Sequence, residues 1–238
     1  MKTELHPASS RGTADYGWLK ATYSFSFSNF YDPTKIHFGA LRVLNDDFIE
    51  GGMGFGKHPH DNMEIVTIPL KGAVAHEDST GTKGIVKAGD VQIMSAGSGI
   101  IHSEKNASHT DPLQLFQIWV IPKLKNIQPR YDQKSYLPED FKNQWKTIVS
   151  PLDSNIDSLH VNQDTYFNIS HLDDKKSLEY DLHGEKHGVF IMVIEGEISA
   201  GGHKLGRRDA IGISEIESIS IQAEKASEVL LIEVPMVW

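Results

Sequence analysis

The chain contains no cysteine, which excludes disulfides, thiolate metal ligands and a cysteine nucleophile. Long apolar runs are missing too. Stretches such as Val189 to Ile194 fall far short of the ~20 residues that a membrane-spanning helix needs. Positive charge is scarce and scattered: 23 Lys and Arg stand against 32 Asp and Glu, for a formal charge of −9. Such a chain gains nothing from phosphate counterion release, so no direct nucleic-acid partner and no membrane partner are expected. The opening residues MKTELHPASSRGTADYG carry no apolar core of a secretory signal, and a cytoplasmic location is the expectation. No Gly-x-Ser-x-Gly elbow occurs, which removes the usual support for a serine hydrolase.

Short apolar or alternating segments recur between turn residues. They include Ile36–Leu44, Glu64–Leu70, Val91–Met94, Leu113–Ile121, Val189–Ile194, Ile219–Ile221 and Val229–Val234, punctuated by Gly51-Gly52, Gly97-Ser98-Gly99 and Gly201-Gly202. Many short strands with few 3.6-residue periods predict an all-β fold. Residues 123–150 break the pattern with Pro122, Pro129 and Pro138 at or near their start and centre, and read as a linker with a short helix over Phe141 to Val149. The halves on either side share a weak pattern, a turn leading an aspartate into an apolar strand at Asp90 and again at Asp209, which suggests duplication.

Histidine is the residue with a pattern. Lys57-His58-Pro59-His60 puts two imidazoles at i and i+2, on one face of a strand, and His102-Ser103-Glu104 does the same with an imidazole and a carboxylate. Two strands that each offer two ligands can surround one ion and leave coordination positions open. Imidazole and carboxylate donors suit iron, nickel, copper, cobalt, manganese or zinc. Each pair is preceded by glycines, Gly51 to Gly56 and Gly97 to Gly99, that permit close backbone approach.

These residues resemble a known family. Gly52, His58-x-His60, Glu64 and Gly72 resemble the first cupin motif, with the last glycine one residue late. Gly89, Ser95-Ala96-Gly97 and His102 resemble the second, with serine where proline is usual. Gly54-Phe55-x-x-His58-Pro59-His60, His76-Glu77-Asp78-Ser79 and Met94-Ser95-Ala96-Gly97-x-Gly99-Ile100-x-His102-Ser103-Glu104 are similar to the pirins. Gln117-Ile118-Trp119-Val120 and Pro129-Arg130-Tyr131 extend the likeness toward the bacterial branch that degrades flavonols.

The resemblance implies two cupin β-barrels packed together, a metal-binding domain over 1–131 and, over 132–238, a linker and a degenerate cupin without metal. It implies one divalent transition metal per chain on His58, His60, His102 and Glu104, with iron(II) expected first and nickel, copper, cobalt, manganese or zinc also compatible. The implied activity is a quercetin 2,3-dioxygenase-like oxidation of a small phenolic by dioxygen, with Glu104 as base. The alternative left open is a non-catalytic regulator acting through a protein partner. Glu64, a ligand in generic cupins but not in pirins, shares the parity of His58 and His60 unless Asp61-Asn62 bends the strand.

Other polar features read more simply. His76-Glu77-Asp78 is expected to be a charged turn, Arg207-Arg208 a solvated turn, and His183 and His187 surface histidines. Met53, Phe55, Phe116 and Trp119 are expected in the core, with some of them free to line a pocket.

Overall fold

The computed structural model describes residues 1–237, and its chain is nearly all β. Two halves each pair a seven-stranded sheet with a four-stranded one. In the first half the large sheet runs Arg130–Ser135, Asp90–Ser95, Glu64–Lys71, Leu113–Val120, Leu41–Ile49, Leu19–Tyr23, Gly12–Asp15, and the small sheet Gly54–His60, Ile100–Asn106, Ala73–Asp78, Lys83–Lys87. In the second half the large sheet runs Lys2–His6, Ala210–Ser214, His187–Glu195, Ser227–Pro235, Tyr166–Leu172, Lys146–Pro151, Leu159–Val161. Its small sheet runs Ser177–Asp181, Ser218–Ala223, Glu197–Ala200, His203–Gly206. The two expected barrels are thus open two-sheet sandwiches, since among the described residues no hydrogen-bonded ladder joins the large sheet of either half to its small one.

The duplication is real at the level of topology. Asp90–Ser95 and Ala210–Ser214, the strands behind the two aspartate turns, occupy the same place in the two large sheets. The expected cut at 131 is crossed in both directions. Arg130–Ser135 completes the first sheet, whereas the N-terminal Lys2–His6 takes the corresponding edge of the second. The anticipated helix over 141–149 is also corrected. Only a 3-10 turn, Pro138–Phe141, forms, and Lys146–Pro151 is a strand between Leu159–Val161 and Tyr166–Leu172. Ile148 and Val149 are buried β-branched residues, and sheet burial outweighs the helix-start signal of Pro138.

Period-two alternation decides where each side chain goes. Along Leu113–Val120, Phe116, Ile118 and Val120 face the other half, while Leu113, Leu115, Gln117 and Trp119 face the interior of their own sandwich. Both faces are covered, which explains why the strand reads as a nearly continuous apolar run. The central core is the seam between the two large sheets, where Leu44, Val66, Phe116 and Ile118 meet Phe190, Met192, Leu230 and Ile232. Inside the second sandwich one apolar cluster, including Val189, Ile191, Ile219, Ile221 and Leu231, fills the space. Inside the first, the apolar residues form two separate clusters, one around Leu19, Ile49 and Leu115 and one around Ile65, Met94 and Ile100. The space between them holds the polar residues described below.

Arg208 corrects the expectation of a solvated turn. It is 6% exposed, donates from Nε to Asp46 Oδ2 of the first half at 2.7 Å and lies over the Phe116 ring at 5.1 Å. Its Nη1 also donates to the carbonyl of Ile194. Arg207 does stay at the surface, paired with Glu195. Removing one partner of a buried ion pair strands the other, at a cost of about 3 kcal/mol. Arg208→Ala is therefore expected to lower the denaturant midpoint by an amount equivalent to about 3 kcal/mol, and Arg207→Ala to change it by less than about 0.5 kcal/mol. Equal midpoints for the two variants would contradict this account of the seam.

Candidate metal centre

Strands Gly54–His60 and Ile100–Asn106 are antiparallel neighbours, with His102 directly opposite His58. A register shift between His102 and Glu104 places Glu104 opposite Phe55. The i, i+2 spacing then turns His58 and His60 from one strand and His102 and Glu104 from the other inward. The imidazoles of His58, His60 and His102 converge, with ring centroids 4.4–4.9 Å apart and one ligand nitrogen of each within 4.8 Å of the others. His58 donates from Nδ1 to the carbonyl of Gly56 at 2.8 Å, which leaves its Nε2 as the free lone pair. That nitrogen lies 3.0 Å from Nε2 of His102.

Burial, then neighbouring histidines, push the His60 imidazole down to about 4 and that of His102 down to about 3. Both rings are therefore neutral near pH 7 and offer lone pairs without first losing a proton. Three imidazoles around one point form a donor set that fits a divalent transition metal.

Glu104 sits just beyond this trio. It forms a second group of close ligand atoms with His76 and His102, so His102 belongs to both. The carboxylate is 4% exposed; Gln117 Nε2 donates to Oε2 at 2.8 Å and Thr67 Oγ1 to Oε1 at 3.2 Å. Burial raises the Glu104 carboxyl above its ordinary range, against the opposing pull of His76 and these hydrogen bonds.

His76 is a site residue that the sequence reading missed. His76-Glu77-Asp78 is a strand rather than a turn, and it pairs with the ligand strand so that His76 faces Glu104 and Asp78 faces His102. His76 Nε2 donates to Asp78 Oδ2 at 3.0 Å, and both side chains are fully buried. Burial works against the Asp78 charge, yet hydrogen bonds from Thr80 and His76 hold its carboxyl below the usual range. The signal was present in the sequence as another i, i+2 pair.

Glu64 does not join the site. Asn62, with φ 44°, turns the chain between His60 and Glu64, and Glu64 then shares the parity of Val66 and Ile68, which face the seam. Its Oε2 accepts from Ser95 Oγ at 2.6 Å, and burial pushes its carboxyl up to about 7. His183 is at the surface as expected and His187 is half-buried, but neither ring is free. Both meet the fully buried carboxylate of Glu233, His183 Nδ1 at Oε2 (2.7 Å) and His187 Nδ1 at Oε1 (2.6 Å), and Tyr180 Oη adds a third bond at 2.7 Å.

A cavity of about 400 Å³ opens onto the histidine trio. Trp18, Tyr23, Phe27, Phe55, Ile65 and Trp119 supply its apolar walls, and Tyr16 and Ser28 its rim. Phe55 and Trp119 thus line the pocket, whereas Phe116 is core and Met53 is exposed. On the large-sheet side Asn45, Asp47 and Gln117 also face the cavity. Burial, then the charges of Asp46 and Glu104, raise the Asp47 carboxyl to about 8.

Known proteins share this arrangement. A family profile for Pirin matches residues 4–120, and one for the quercetinase C-terminal cupin domain matches 147–234. Quercetin 2,3-dioxygenase of Escherichia coli strain K12 is 44% identical over 98% of this chain and 99% of its own. A pirin-like protein of Caulobacter vibrioides is 37% identical over 95% of this chain and 97% of its own. The crystal structure of the Escherichia coli bacterial pirin YhhW in complex with nickel(II) superposes with a TM-score of 0.93 at 42% identity, covering 99% of this chain and all of that one.

The placement of Glu64 has a measurable consequence. A carboxyl with a folded value near 7 and an ordinary unfolded value keeps its proton in the folded state while the unfolded chain ionises. Stability is then lost as pH rises from about 4 to 7 and is flat above, by roughly 3 kcal/mol at most. Glu64→Gln is expected to leave bound metal unchanged and to melt above the parent by a margin that grows from pH 4 to 7. Loss of metal in this variant would place Glu64 among the ligands instead.

Proposed function

The chain belongs to the pirin family, and we propose that it is a metal-dependent dioxygenase that cleaves a flavonol such as quercetin with dioxygen to a depside and carbon monoxide. The observation that carries this reading is the juxtaposition of a converging histidine trio, a buried carboxylate and an aromatic-walled cavity that reaches both. His58, His60 and His102 would hold the metal from one side, with Glu104 as the fourth ligand. When bound, a divalent transition metal supplies Lewis acidity that stabilises negative charge on a substrate oxygen and orients it toward dioxygen.

The protein's own groups do the rest. The flat walls formed by Phe55, Trp18 and Trp119 take up the planar rings by burial and edge or face contact. Glu104 Oε1, held only by the longer bond from Thr67, has a lone pair free to take the proton of the flavonol 3-hydroxyl. Gln117, donating from Nε2 to Glu104 Oε2 at 2.8 Å, keeps the carboxylate from rotating. His76, fixed by Asp78, stands behind Glu104 and His102 and limits their rotamers. Apolar walls exclude bulk water, which favours reaction with dioxygen over protonation by solvent.

Loaded with iron, nickel, copper, cobalt or manganese in turn, the protein is expected to consume oxygen with quercetin and release carbon monoxide in at least one form. Unchanged quercetin absorbance in all of them, against a metal-only control, would overturn the assignment. Glu104→Gln retains an oxygen able to touch the metal but cannot take a proton. Its turnover should fall by about 10²–10⁴ while metal content falls only in part. Metal analysis should give one equivalent per chain, unchanged by His183→Ala or His187→Ala, because both rings are engaged with Glu233.

A further inference from the structure

Asn45 and Asp47 are cavity residues to which nothing in the chemistry above gives a role. They alternate along Leu41–Ile49 and so turn the same way, into the sandwich, while Asp46 between them points to the seam. The two neighbouring aspartates have opposite fates. Asp46 is matched by Arg208 at 2.7 Å and Arg11 at 3.8 Å, whereas Asp47 forms no ion pair among the described residues. Asn45 is 3% exposed and Asp47 4%, and Oδ1 of each has no hydrogen-bond partner in the protein.

Gln117, which pairs with Asn45 across the strands, is by contrast engaged: its Nε2 donates to Glu104, and its Oε1 shares the single Thr67 hydroxyl proton with Glu104 Oε1. The wall carrying Asn45 and Asp47 is the large sheet, and the histidines project from the small sheet opposite. Buried polar groups without partners destabilise a protein, and in a pocket they are satisfied when a ligand brings the complement. An amide and a carboxyl set among aromatic walls are complementary to hydroxyl groups on a flat apolar frame.

We propose that Asn45 and Asp47 form a subsite that hydrogen-bonds hydroxyl groups on the rings of the substrate away from the metal, so that the pocket selects polyhydroxylated flavonols over bare ones. The subsite rests on the flavonol reading and refines it. Gln117 and Glu104 handle the reacting end, and Asn45 and Asp47 read the rest of the molecule. A site built to pair with hydroxyls leaves its own groups stranded when an analogue lacks them, which penalises that analogue more than the lost contact alone.

The test is anaerobic calorimetric titration of the nickel-loaded protein with quercetin and with 3-hydroxyflavone, which shares the reacting ring but carries no other hydroxyl. The wild-type protein is expected to bind quercetin at least about tenfold more tightly. Asn45→Ala and Asp47→Ala should each narrow that ratio toward one, by weakening quercetin and by strengthening 3-hydroxyflavone, whose binding no longer strands a polar group, with the nickel content unchanged; Asp47→Asn, which can still donate and accept, should keep most of the ratio. Equal affinities in the wild-type protein, a result that needs no variant to fold, would overturn the subsite alone. So would a ratio unchanged in both alanine variants. Failure of the wild-type protein to bind either flavonol would overturn the flavonol reading and the subsite with it.

Discussion

Placing three imidazoles and several carboxyls between two packed sheets costs several kcal/mol for each group left charged and unpaired. The first half of the molecule is organised around reducing that cost. His60 and His102 stay neutral, His58 is tied to a backbone carbonyl, and Glu104 receives two side-chain hydrogen bonds. His76 Nε2 donates to Asp78, which Thr80 also holds, while His76 Nδ1 is left without a partner. What is left over are lone pairs that converge on one point, together with a few oxygens that face an apolar cavity. The candidate site is thus the residue of an incomplete internal pairing.

The second half shows the same frame with the opposite choice. The strand placed like the one that carries His102 and Glu104 buries Ile219, Ile221 and Ala223 instead, and one continuous apolar cluster fills that sandwich. Its polar centre, Glu233 with Tyr180, His183 and His187, is closed on itself: both carboxylate oxygens are occupied, and the hydrogen bonds from His187, His183 and Tyr180 hold Glu233 low despite its burial. The filled half braces the hollow one. Its large sheet backs the large sheet of the first half along the central seam, so the wall carrying Gln117, Asn45 and Asp47 is packed on its far side by Phe190 and Ile232. The N-terminal strand and the Arg208–Asp46 pair fasten the halves to each other.

Much of this was legible in the sequence because strands have a period of two. His58-x-His60 and His102-x-Glu104 declare shared faces without any knowledge of the fold, and the alternating runs between glycine turns declare the all-β class. The pirin-like motifs 54–60 and 94–104 carried the family. The same rule left Glu64 open, and the even spacing from His60 is cancelled by one left-handed residue, Asn62. It was not applied at His76 and Asp78, whose charge suggested a turn although their spacing is that of a strand face.

The sequence by itself determined the β-class, the shared faces of the two i, i+2 pairs and the family, since these depend on local period and motif. Tertiary structure alone decided which polar residues are satisfied. Arg208 becomes a buried tie because Asp46, 162 residues away, lies across the seam. His183 and His187 become ligands of a carboxylate rather than of water because Glu233 folds between them. Lys2–His6 joins the far sheet because the strand Ala210–Ser214 offers it an unpaired edge. Asn45 and Asp47 become pocket residues because their strand faces the histidines across the sandwich. Each depends on a partner distant in the chain, and burial, which sets the cost of a missing partner, is a property of the packed molecule and not of any segment of it.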